Sequence, residues 1–218
     1  MKPTTLVLIV LTIMVIGLQI NRSIQCQKIS ENLVMLIAKK KYDEVYESLD
    51  SNKVKRYIPA FNRYFLGMNA GIIQDNKEKV NKYFDMLLDR NLKVAESETV
   101  FMRGLEYFIE ISDKDRCKIC CENLQKSEMD SETKMYLNRI YDVMVLDKVD
   151  SLNELLKEID NDNSSEVFTN EFLVSAIYKH LGNKEKEKQY KELAQKHLSN
   201  FIQSSANIEA SGKTANTL

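Results

Sequence analysis

Residues 61–88 read FNRYFLGMNAGIIQDNKEKVNKYFDMLL. Phe61, Tyr64, Phe65, Met68 and Ile72 recur at steps of three and four, the spacing that lines one face of an α-helix. The polar run Asp75-Asn76-Lys77-Glu78-Lys79 breaks that stripe. Val80, Phe84, Leu87 and Leu88 then begin a second stripe of the same period. Two amphipathic helices joined by a short polar corner make a helical hairpin, and the rest of the chain is read outward from this unit.

Similar corners recur. Lys40-Lys41-Tyr42-Asp43-Glu44-Val45, Asp147-Lys148-Val149-Asp150-Ser151-Leu152 and Gly182-Asn183-Lys184-Glu185-Lys186-Glu187 each separate two apolar-periodic stretches, and a less regular corner falls at Ile111-Ser112-Asp113. Anchored at 40, 75, 111, 147 and 182, the corners stand 35, 36, 36 and 35 residues apart. Around the third corner Phe101, Leu105, Phe108 and Ile109 precede, and Cys117, Cys120, Cys121 and Leu124 follow. Leu137, Ile140, Tyr141 and Met144 lead into the fourth; Leu152, Leu155, Leu156 and Ile159 leave it. Phe172, Leu173, Ile177 and Leu181 lead into the fifth, with Tyr190, Leu193, Ala194 and Leu198 beyond. Ser97, Asp130 and Ser165 stand where N-caps of the third, fourth and fifth first helices are expected.

A fixed period near 35 residues is the mark of stacked helix pairs. Leu66-Gly67, Asp75, Val80, Phe84 and Leu87, and Tyr178, Gly182 and Ala194 in the last unit, fall at the signature spacing of the tetratricopeptide repeat, which the chain resembles over residues 29–200. The small residues usual at the contact within each pair are often replaced by Val, Cys, Leu or Glu. The resemblance implies an all-α fold: a right-handed α-solenoid of about five antiparallel helix pairs, following one N-terminal transmembrane helix. One pair cannot bury both its faces, so stacked neighbours complete the core and leave a concave surface on the first helices. The expected helices put Asn62, Asn69, Arg103, Asn138 and Lys179 on that surface, as candidate contacts for a protein or peptide.

Composition agrees with helices. The 218 residues include only 6 Gly and 2 Pro, too few for the tight corners of a β-sandwich. With 31 basic and 32 acidic residues, nothing in the net charge of -1 calls for nucleic acid or an anionic membrane surface as the main partner. The last stretch, 201–218, turns to Ser, Ala, Asn, Gly and Thr and is expected to be a disordered tail.

The N-terminus differs from everything after it. No charge occurs between Lys2 and Arg22, and Leu6 to Leu18 is the most apolar run in the chain. A helix over those 19 uncharged residues reaches roughly 28 Å, close to the hydrocarbon thickness of a bilayer. Residues 1–22 are therefore expected to be a single-pass anchor, with residues 4–20 in the membrane. A cleaved signal segment is the alternative, although Val15-Ile16-Gly17 is a poor cleavage sequence. Arg22, Lys28, Lys39 and Lys40 on the C-terminal flank outweigh Lys2 and the terminal amine, which predicts a cytoplasmic repeat domain. Signal cleavage or the opposite orientation would place it outside the cytoplasm or in the secreted fraction.

Chemistry-bearing constellations are few. His180 and His197 are the only histidines, and no Walker-type loop, G-x-S-x-G or H-E-x-x-H occurs. No cofactor or metal is expected. Cys117, Cys120 and Cys121 share a helix face, the pattern by which a helix buries small apolar residues and also the only pattern here that offers thiol redox chemistry. The expected function is a membrane-tethered, non-enzymatic interaction scaffold. A thiol-based redox-responsive regulator is the alternative.

Overall fold

The computed structural model describes residues 3–161 and 167–214, with side chains over 19–160 and 167–203. All regular structure among the described residues is helical: α1 (Pro3–Ala38), α2 (Tyr42–Asp50), α3 (Asn52–Tyr57), α4 (Ala60–Ile73), α5 (Lys77–Leu88), α6 (Val94–Glu110), α7 (Lys114–Gln125), α8 (Ser131–Met144), α9 (Leu152–Asn161), α10 (Phe168–His180) and α11 (Lys184–Thr214). The chain divides into two compact units, Met1–Val100 and Phe101–Leu218, the division falling within α6.

The polar corners owe their shape to single left-handed residues. Lys40 (φ 58°), Asp75 (53°), Ser112 (58°), Asp147 (57°) and Gly182 (72°) have positive φ. They stand 35, 37, 35 and 35 residues apart. At four of them the next N–H donates five residues back: Lys41 to Leu36 O (2.9 Å), Asn76 to Gly71 O (2.8 Å), Asp113 to Phe108 O (2.9 Å) and Asn183 to Tyr178 O (2.9 Å). This Schellman closure satisfies carbonyls that the helix end would leave without partners. The same residue then caps the following helix at three corners. Asn76 accepts from the Lys79 N–H at 3.0 Å, Asp113 from Arg116 at 3.2 Å and Asn183 from Lys186 at 3.1 Å. The Asp147 corner is wider: the Lys148 N–H reaches back to Asp142 O at 2.9 Å, and α9 begins only at Leu152.

Other boundaries depart from the sequence reading. Asp130 caps α8 as expected, accepting from the Thr133 N–H at 2.8 Å. Ser97 instead lies inside α6, whose start is closed by Glu96 accepting from the Lys93 N–H at 3.1 Å. Ser165 lies outside the described residues. The stretch after the first corner is broken into α2 and α3, because Ser51 ends one helix and caps the next by accepting from the Val54 N–H. The helical backbone of α11 runs past the composition change at 201 to Thr214; the side chains of the expected tail beyond 203 lie outside the described residues.

In the first unit α1 packs on α2 and α3, and α4 on α2 and α5. Among the described side chains of α1, Ile29, Leu33 and Leu36 are buried. The approach of α4 to α5 is set by two glycines one turn apart. A Cβ on Gly67 would lie 2.7 Å from ring atoms of Tyr83, and one on Gly71 would lie 3.0 Å from the Val80 nitrogen. Arg63 is buried in α4 and donates to Leu49 O at 3.3 Å, placing its guanidinium at the carbonyl end of α2, the favourable end for a cation. In the second unit α10 packs on α8, α9 and α11 around a core of Val143, Leu155, Leu173, Val174, Ile177 and Tyr178.

The backbone of α1 is one uninterrupted helix through the apolar stretch and into the first unit. The side chains of the expected membrane segment up to residue 18 lie outside the described residues. Among the described residues no helix is long and apolar enough to cross a membrane.

Candidate functional site

Helix α10 is apolar on more than one side. Leu173, Val174 and Ile177 fill the core of the second unit, while Phe172, one residue out of phase, is 51% exposed. Its ring is one of several large apolar side chains that stand exposed among the described residues. Phe172 stands on the wall of a groove of about 710 Å³ within the second unit. Its lining comes from three alternate helices: Ile109 on α6, Tyr136, Ile140 and Met144 on α8, and Leu173 and Ala176 beside Phe172 on α10. These helices lead into the third, fourth and fifth corners. Two of the left-handed residues, Ser112 and Asp147, also line the groove.

Its charges lie at the margins. Glu106 and Glu110 come from α6, Lys179 and His180 from the end of α10, and Asp147 from the corner between them in sequence. Several are engaged locally: Arg103 donates to Glu106 at 2.8 Å, Lys114 to Asp147 at 3.2 Å, and the His180 ring stands 3.4 Å from the same carboxylate. No ion pair of Glu110 or Lys179 is seen among the described residues. Burial raises the Tyr136 phenol above its ordinary pKa, so it serves as a neutral amphipathic wall.

The five expected contact residues are not gathered in one place. Lys179 lines the groove, and Arg103 holds one of its carboxylates. Asn138 lies beside a second hollow with Cys121, Gln125 and Tyr141, where it accepts from the Gln125 amide at 3.0 Å. Asn62 is exposed on α4, and Asn69 on the same helix turns its amide inward to Phe65 O at 2.9 Å. Both belong to the first unit. Apart from Lys179, the sequence reading picked out none of the groove's lining as contacts, among them Ile109, Tyr136, Ile140, Met144 and Phe172. The available signal was the near-continuous apolar run of α10 from Phe172 to Ile177, too wide for a helix with one buried face.

The cysteine cluster has little thiolate chemistry to offer. Cys117, Cys120 and Cys121 are all buried on α7 and unbridged. Burial pushes the Cys117 thiol up to about 11 and Cys121 to about 12, and raises Cys120 further still. A thiol at such values is almost wholly protonated at neutral pH, and the thiolate is the reactive form.

Both histidines are engaged. His197 on α11 meets the buried Glu171 of α10 at 2.8 Å, while the nearby Ser175 hydroxyl donates to Glu187 O at 3.0 Å. That hydroxyl is committed to a backbone carbonyl, so the pair holds two helices together without a poised nucleophile. Among the described residues no three His, Cys, Asp or Glu side chains are placed to hold a metal ion. No family model, no curated protein and no solved structure matches the chain.

Proposed function

We propose that the chain is a membrane-tethered, non-enzymatic adaptor whose second unit holds a segment of a partner protein in the α6–α8–α10 groove. The observation that carries the reading is the groove itself. Its apolar floor is built from alternate helices, and half-exposed Phe172 stands on its wall. An aliphatic or aromatic anchor of the partner would cover Phe172, Ile140 and Met144. A basic and an acidic side chain flanking that anchor would meet Glu110 and Lys179. Apolar anchors with charged flanks are the usual division between affinity and register in such contacts.

The repeat reading is supported by the five left-handed corners at near-constant separation and by their common mode of closure. The tether reading rests on the uncharged N-terminal stretch and its continuity with α1. A solenoid of tetratricopeptide type fits both, with the groove on its first helices.

Site-specific photo-crosslinking tests the groove. A photoreactive residue at Phe172 should yield a discrete protein adduct in cells, absent when the same group replaces exposed Lys188 on α11 and lost when Ile140→Glu is added. Equal adduct patterns at the two positions, or none at Phe172, would remove the proposal.

A further inference from the structure

α3 is a short insertion between α2 and α4, and its sequence Asn52-Lys53-Val54-Lys55-Arg56-Tyr57 explains how it sits. Val54 is its buried anchor, and Ile58, buried just beyond, is tied back by donation of its N–H to Val54 O at 2.8 Å. With Val54 turned inward, Lys53, Lys55 and Arg56 are left exposed. α3 packs on α1, and a shallow hollow between them brings Lys53 and Val54 to the level of Gln25, Lys28 and Ile29. That is the N-terminal edge of the part of α1 that enters the core, since Ile29 is the first buried residue described on α1.

This placement matters because α1 continues without a break toward the apolar stretch. From Ile20 to Gln25 and Lys28 is five to eight residues, a rise of roughly 8–12 Å along a helix. The headgroup layer outside the hydrocarbon core is about 5–8 Å thick, and charges act over a further Debye length of about 8 Å. With α1 anchored as proposed, exposed Arg22 and Lys28 on α1 and Lys53, Lys55 and Arg56 on α3 would stand within electrostatic reach of the lipid headgroups. The nearby carboxylates are Glu31, which accepts from Gln27 at 2.9 Å, Glu47 beside the hollow, and Asp50, 3.9 Å from Lys55. Five cations against three carboxylates leave this edge positive.

We infer that the α3 edge of the first unit is a docking face for an anionic bilayer surface, holding the unit down against the membrane in which α1 is anchored. The inference rests on the proposed tether. The tether sets how far α3 can reach, while the basic edge sets how the helix tilts; membrane helices lean by up to about 40°, and that freedom is what headgroup charge can select from. The occupant is the phosphate- and carboxylate-bearing lipid surface, whose negative potential attracts basic segments beside membrane helices.

The full chain in lipid nanodiscs provides the test. A fluorophore on Asn52→Cys, in a Cys26→Ser background, reports energy transfer to an acceptor on the lipid headgroups. Transfer should be higher in discs containing phosphatidylserine than in discs of phosphatidylcholine alone. The difference should vanish in Lys53→Glu/Lys55→Glu/Arg56→Glu and at high salt. Equal transfer in the two kinds of disc, with the chain still co-eluting with both, overturns the docking face and leaves the tether standing. A chain that elutes apart from both kinds of disc removes the tether, and the docking face with it.

Discussion

The α4–α5 pair of the first unit and the α10–α11 pair of the second turn through the same kind of corner yet hold their helices together by different means. In α4–α5 the contact is steric: Gly67 leaves room for the face of Tyr83, and Gly71 lets the backbone at Val80 come close. In α10–α11 the helices meet through polar groups as well. Buried Glu171 pairs with His197, and Ser175 donates to a backbone carbonyl. A shared turn therefore does not dictate a shared interface. The corner fixes where the second helix starts, and the side chains decide how near it comes.

The comparison breaks most sharply at Gly67. Gly67→Ala should destabilise the first unit by about 1–3 kcal/mol, read by chemical denaturation, because the new methyl overlaps a ring that is itself buried. Gly67→Val should cost more. In the second pair the vulnerable point is electrostatic. His197→Ala leaves the Glu171 carboxylate buried without its partner and should cost about 2 kcal/mol, below the full penalty of a broken buried pair because the histidine is half-exposed. Adding Glu171→Gln removes the buried charge and should recover much of that loss. A double-mutant cycle with no coupling would put the two pairs in the same steric class.

Smaller effects test the shared element. Gly182 has φ 72° with open space around its Cα, so Gly182→Ala should cost about 1 kcal/mol from backbone strain alone. Ser112 holds a comparable conformation at φ 58° without glycine's freedom. Ser112→Gly should stabilise the second unit by about 0.5 kcal/mol, the relief of strain being partly offset by the entropy of a freer unfolded chain. A loss of stability at Ser112→Gly would mean that its side chain does more than occupy the turn.

The corners were the legible part of the fold. Polar runs between helical stripes gave their positions, and the left-handed residue falls on the numbered anchor at 40, 75, 147 and 182 and one residue later at the third. Composition read alone was weaker. Ser97 looked like a cap, but the helix starts a turn earlier, where Glu96 supplies the acceptor. The division of α2 from α3 escaped notice because Ser51 sits inside an otherwise periodic run. The groove was least legible. Phe172 stood in one apolar stretch with Leu173, and only the packing of α10 against α8, α9 and α11 separates the buried Leu173 from the exposed ring.

The locality of the corners has a kinetic consequence. Each closes through hydrogen bonds reaching back five or six residues, and the substantial helix contacts join elements that are adjacent or next but one along the chain. Such contacts require little loop closure before they contribute, so the barrier to forming each hairpin carries a small entropic part. A ribosome releasing roughly 5–20 residues per second would give each hairpin ample time to form before the next emerged. The chain would then assemble from its N-terminal end, one helical hairpin at a time.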